Sequence, residues 1–271
     1  MPRAILAALI ALSATARAED CPPEHAALGH CVPDASPAPE ADEPNILVTG
    51  TLGVVAATYR TPLFEGNYQG GIVGVGLARG RFAVSAQITE YRLARNGLAS
   101  RGPGDVMLHG HVSLASPGDF TIAAMVMTSL PTGDDDRGFG MGHVMLMGDL
   151  AVSWTRPRFA LSQSIGYGHA FGGADAHAEH GGGGGWPLVD PMNARELAFG
   201  STFSYTVAPS LTASVRMIGA APIGDGQTRL AAGGGVAWTL GRAVTSLEIL
   251  GGIAGDPLGI RGVLTTRLRV F

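Results

Sequence analysis

The side chains with the most chemistry in this sequence are soft ligands set two residues apart. Met107, His109 and His111 alternate along GDVMLHGHVSL, Met125 and Met127 along FTIAAMVMTSL, and Met145 and Met147 along VMLMGDLAVSW, where Asp149 continues the spacing. In a strand, a period of two puts each set on one face. Thioether and imidazole suit copper, Cu(I) above all, better than Zn(II) or Mg(II). The SPGD turn at 116–119 would bring His109 or His111 opposite Met125 or Met127, with inward side chains about 5 Å apart. The candidate metal set is therefore Met107, His109, His111, Met125, Met127, Met145 and Met147, with copper the cofactor it would hold. The other reading stands beside it: methionine is an adaptable filler, and these residues would then only occupy interior volume.

A second set lies near the N-terminus, where Cys21 and Cys31 bracket CPPEHAALGHC. In an oxidising compartment, two cysteines this close are expected to form one disulfide. His25 and His30 between them leave a small zinc or copper site as the alternative. Met141, His143, His169, His177 and His180 fall in or beside inter-strand segments, on the expected outer side, where histidines can be solvated members of loops. Asp134, Asp135 and Asp136 read as a solvated turn, with divalent-cation bridging to lipopolysaccharide as the alternative.

Several function classes are disfavoured. Net charge is −4, lysine is absent, and the 18 arginines are scattered, so no basic footprint for nucleic acid is present. GVGLARG at 74–80 is a strand and turn rather than a strand-to-helix phosphate loop. No catalytic residues are indicated: an outer-surface lipid hydrolase would need a histidine on an outward strand position with a serine beside it, and the sequence is read as offering neither.

The elements that would position these residues are strands. Residues 1–18 carry Arg3, an apolar run from Ala4 to Leu12 and a small-x-small ending at Ala16-Arg17-Ala18, the pattern of a secretory signal peptide. Residues 19–44 comprise the Cys/His segment and a Pro-rich acidic linker expected to be disordered and periplasmic. From Asn45 to Phe271, Gly is abundant (41 in the chain), charge is sparse at 15%, and no helical periodicity or apolar run of 18 residues occurs. Pro, Gly, Asn and Asp clusters divide this region into twelve strand-length segments. In the central pair, Phe120, Ile122, Ala124 and Val126, then Leu146, Leu150, Val152 and Trp154, share the apolar face.

The connections alternate between long and short: RTPLFEGNYQ then ARGR, NGLASRGPG then SPGD, PTGDDDRGFGMGH then TRPR, and so on. An even strand number, with short turns at one end and longer loops at the other, predicts an all-β transmembrane barrel of up-and-down topology. Phe82, Phe120, Trp154, Phe159, Tyr205 and Trp238 near the short turns would form one interfacial girdle, and Tyr59, Tyr91, Tyr167 and Phe171 near the long loops the other. Phe199 and Phe203 do not fit that scheme. The last strand ends on Phe271, as a strand recognised by the barrel-assembly machinery would. Parity assigns Glu90, Arg216, Glu248, Arg267 and Arg269 to the lumen, together with the small residues Ser113, Ala123, Ala151, Ser153, Ser162 and Ser164.

GDVMLHGHVSL, LPTGDDDRGFGMGH and GYGHAFGG, between Gly104 and about Gly200, resemble the MetA-pathway-of-phenol-degradation or "transporter" family of outer-membrane proteins; the most specific piece is Leu130-Pro131-Thr132-Gly133-Asp134. The resemblance implies a bacterial outer-membrane barrel that passes a small, often hydrophobic, compound. Such a barrel is expected to have lipid and lipopolysaccharide as partners, and loop 172–193 is expected to shape its outer mouth. It brings no catalytic residues. The His- and Met-rich form of the motif departs from the family pattern at the point where copper binding or permeation is the alternative. A structural barrel without transport is the third reading.

Overall fold

A computed structural model describes residues 46–60, 65–95, 97–172, 189–190 and 192–270. The signal peptide, the Cys21 and Cys31 pair, the linker, His177, His180 and Phe271 lie outside the described residues.

Thirteen strands are found among the described residues: β1 (Leu47–Arg60), β2 (Glu65–Arg79), β3 (Phe82–Arg95), β4 (Leu98–Pro103), β5 (Val106–Ala115), β6 (Phe120–Leu130), β7 (Val144–Arg156), β8 (Phe159–Phe171), β9 (Arg195–Ala208), β10 (Leu211–Pro222), β11 (Arg229–Leu240), β12 (Ala243–Ala254) and β13 (Leu258–Arg269). Sequence neighbours pair antiparallel except β4 and β5, which both pair with β3, and β1 pairs with β13 from Thr49↔Arg269 to Thr58↔Ile260, which closes the sheet. Among the described residues only β4, at the rim of the wall, has a single partner; elsewhere closure pairs each strand on both sides, the condition for a sheet to sit in hydrocarbon.

The wall has twelve positions because β4 and β5 share one. Phe82 to Gln87 of β3 pair with β5, and Glu90 to Arg95 pair with β4. This corrects the reading of NGLASRGPG as a loop. LASRGP has no apolar alternation because β4 continues the wall beyond the apolar belt, where neither face needs to be uniformly apolar, and Gly104 and Asp105 break the strand between the two halves.

Two residue types explain why these segments close into a barrel with an apolar exterior. Outward positions carry β-branched and aliphatic side chains that are exposed, among them Leu52, Val54, Val73, Val75, Val126, Leu150 and Ile165. Their inward neighbours are small or polar, and Ala123, Ala151 and Ser153 are almost wholly buried. At the short-turn end, Gly80, Gly118 and Gly241 hold φ near +60°, a conformation glycine adopts without strain.

The girdle at the short-turn end is present. Phe120 stacks on Trp154 at 6.1 Å, and Phe159 packs against Phe203 at 6.2 Å and Tyr205 at 5.2 Å, so Phe203 belongs to this girdle. Phe199 faces outward and covers Gly219, where an added Cβ would meet its ring. At the other end the expectation holds for Tyr167 and Phe171, which are exposed, and fails for two tyrosines. Tyr59 is 3% exposed and donates its hydroxyl to the Ala94 carbonyl at 2.8 Å, while Tyr91 packs edge-on against Tyr68 inside the lumen. Tyr59 shares parity with the inward Val55 and Ala57, so its face outweighs its nearness to a loop. Glu90 also departs from expectation: it shares the exposed face of β3 with Val84 and Ile88 and lies where β3 has passed beyond the belt.

Candidate functional site

The lumen wall is built in rows. Across β3, β5, β6, β7 and β8, register aligns Gln87, Met107, Ser129, Met145 and Ala170; below them Ser85, His109, Met127, Met147 and Gly168; and below those Ala83, His111, Met125, Asp149 and Gly166. The sequence-derived set is therefore brought to one wall, with His109 opposite Met127 and His111 opposite Met125. Met107, Met127, Met145 and Met147 join a buried cluster with Ala170 and Ala198; Met125 stands on the same face outside it. The structure adds Met141 and Met192, which loops carry into the cluster. Among the described residues, no group of three or more His, Cys, Asp or Glu side chains is arranged to hold a metal ion.

The outer half of the lumen is filled by loops. The β6–β7 connection, containing LPTGDDDRGFGMGH, turns inward and buries Phe139 to 1% exposure against Tyr59, Tyr68, Ile72, Leu93 and Val189. Asp105 holds it. One carboxylate oxygen accepts from the Thr132 and Gly133 amides at 3.1 and 2.9 Å, and the other from the Met141 amide at 2.9 Å and the Ser129 hydroxyl at 3.1 Å. The Thr132 hydroxyl accepts from the Val106 amide at 2.9 Å, fixing the loop to the start of β5. Burial is the largest influence on Asp105 and pushes its carboxyl above the ordinary carboxylate range, against the pull of its four donors. The glycines of the motif are explained by crowding: a Cβ on Gly133 would lie 2.6 Å from the Phe139 carbonyl oxygen, and one on Gly140 would lie 2.8 Å from the Gly133 oxygen. At the tip, Arg137 pairs with Asp134 at 2.6 Å while Asp135 and Asp136 are exposed, as a solvated turn would be.

The segment before β9 also enters. Val189 donates its amide to the Gly138 carbonyl at 3.0 Å, joining the two loops. The Asn193 amide and side chain donate to Glu196 at 3.0 and 2.7 Å, and Asn193 exchanges two hydrogen bonds with the Gln227 backbone at 2.9 and 3.2 Å. Arg229 reaches both oxygens of Glu196, at 3.0 and 2.8 Å. Of the loop expected to shape the outer mouth, residues 173–188 and 191 lie outside the described residues. Deeper in the barrel Arg216 and Glu248, both expected inward, face each other at 3.5 Å across β11, where Gly233 and Gly235 leave the space between them.

Two small cavities, of about 50 and 60 Å³, remain around these loops. Asp190 and Arg261 line both; Met147, Met192 and Glu196 line one, and Tyr68, Tyr91, Gln87 and Phe139 the other. Sequence reasoning missed Asp105, Phe139, Asn193 and Glu196. The signal for the first was available: a lone Asp at a strand start, followed by an LPTG turn whose amides need an acceptor.

His169 is the other correction. It faces outward on β8 between Tyr167 and Phe171, packing on the Phe171 ring at 4.7 Å. Its paired neighbours are Leu146 and Arg195, so no serine accompanies it at those positions.

A closed twelve-position sheet with an apolar outer belt, an aromatic girdle and loops folded into its lumen defines an outer-membrane β-barrel. No family model matches the chain, and no curated protein matches it. Among solved structures it is similar to the COG4313 outer membrane channel from Pseudomonas putida F1, with a TM-score of 0.59 at 11% identity over 88% of this chain and 100% of that one. It is also similar to the KdgM porin, with a TM-score of 0.52 at 6% identity over 82% of this chain and 99% of that one. The same porin in complex with disordered oligogalacturonate gives 0.54 at 6% identity over the same shares. Likenesses at such identities establish the shared fold, and the fold places the chain in a bacterial outer membrane.

Proposed function

We propose that this chain is an outer-membrane channel for a small solute, with its own loops closing the outer half of the lumen. The observation that carries this reading is the way closure is achieved. An eight-stranded barrel is filled by wall side chains, whereas a wider one leaves a lumen that something else must fill. Here the inward wall is largely Ala, Ser, Thr and Gly, and closure falls to two loops pinned by the Asp105 and Glu196 contacts. Loops held by a few polar groups can open without unfolding the barrel.

The mouth combines Tyr68, Tyr91 and Phe139 with Asp190 and Arg261. A solute with an apolar body and one polar group fits that lining, in keeping with the resemblance of LPTGDDDRGFGMGH to the MetA-pathway family. The test is conductance of the purified protein in a planar bilayer. Phe139→Ala removes the side chain that fills the outer lumen and should raise conductance several-fold over the parent. The absence of conductance in both proteins would favour a structural barrel.

A further inference from the structure

We propose that the lumen wall carries a site for a soft monovalent cation of the Cu(I) class, with Met127, Met145 and Met147 as thioether donors and Asp149 as the counter-charge. The site is independent of the channel reading.

Three observations converge on it. First, six of the chain's nine methionines, Met107, Met127, Met141, Met145, Met147 and Met192, gather in one buried cluster. The outward positions of β5, β6 and β7 carry Leu, Val and Ile instead, so methionine is selected on one face of strands that otherwise use aliphatic residues. Secondly, Asp149 is 4% exposed and, among the described residues, neither carboxylate oxygen has a hydrogen-bond partner. A buried carboxylate without donors is strongly unfavourable unless a cation or a proton joins it.

Thirdly, β8 is hollowed where these groups meet. Gly166 and Gly168 are successive inward positions. A Cβ on Gly168 would lie 2.8 Å from the Met145 methyl and 3.3 Å from the Met147 methyl, and a Cβ on Gly166 would meet the Asp149 carboxylate. Thioether ends and carboxylate are thus drawn to adjoining points over bare backbone, with Met127 and His109 continuing the Met147 row. Glu196 also reaches the hollow, its Cγ 3.4 Å from the Gly168 point, but its carboxylate is held by Arg229 and Asn193. One uncommitted carboxylate among thioethers matches a soft monovalent ion better than a hard divalent one, which prefers several oxygen ligands.

The test uses Ag(I), a redox-inert probe of the same class, on the full chain purified in detergent, with Cys21→Ser and Cys31→Ser to remove the thiols. The proposal predicts one tight site, measured by calorimetry, with sulfur neighbours in the silver X-ray absorption spectrum. Met127→Leu with Met147→Leu keeps the volume and should weaken binding at least about tenfold and lower the sulfur coordination number in the spectrum, Met145 remaining. Asp149→Asn should weaken binding while the sulfur neighbours stay. Heat-modifiable migration on a gel checks that each variant is folded; if the double variant is not, Asp149→Asn decides alone. Unchanged affinity in Asp149→Asn overturns the proposal, as does a parent with no site or one that binds tetraphenylphosphonium in place of silver. None of these readouts requires conductance, so the channel can fail while the site stands.

Discussion

Asp105 gives the LPTG turn its physical meaning: a single carboxylate takes three backbone amides and a hydroxyl that would otherwise be buried without acceptors. Asp105→Ala should cost the docked loop about 1 to 3 kcal/mol per donor left unmet. Trypsin cleavage after the exposed Arg137, which requires local release of that backbone, should then accelerate by roughly tenfold or more. An unchanged cleavage rate would mean that Phe139 alone holds the loop. Gly140→Ala tests the same docking by steric means, since its Cβ would press on Gly133 and Asp105; it too should speed cleavage, with the barrel intact by gel migration. At this scale the sequence was partly legible. The inward Met and His residues followed from parity, and so did Arg216 and Glu248. Asp105 was missed because its partners lie 24 to 36 residues away and are mostly backbone groups, which spacing does not reveal, and Glu196 because its charged partner, Arg229, lies 33 residues further on. Tyr59 and Tyr91 were misread because nearness to a loop was weighed above the face of the strand.

The strands were the most readable elements, because one apolar face and one small or polar face impose a period of two that turn residues interrupt cleanly. β4 escaped because strand pairing beyond the membrane needs no apolar face. The belt makes a depth-dependent prediction. Leu150 is outward in the middle of β7, paired with Ala124 and Ile165, whereas Val207 is outward at the short-turn end of β9. Leu150→Arg should destabilise the barrel by about 2 to 4 kcal/mol and Val207→Arg by about 0 to 1 kcal/mol, measured as equilibrium unfolding in lipid vesicles. Equal costs at the two positions would contradict the placement of the belt.

For the whole molecule, β1 closes on β13 to make the wall, and the β6–β7 connection and the segment before β9 pack into its outer lumen. The wall was legible in the sequence through loop alternation and apolar period. The inward packing was not, because inward-folded loops carry no periodicity, and their glycines read as ordinary turn residues until the crowding around Phe139 is seen. The most direct test of the central claim is single-channel conductance of the full chain and of the Asp105→Ala, Phe139→Ala double variant, each purified from membranes and inserted into the same planar bilayer. A small or intermittent conductance in the parent and a several-fold larger, steadier one in the variant is the predicted result. Identical traces, or no current from either protein, would contradict a solute channel closed by its own loops.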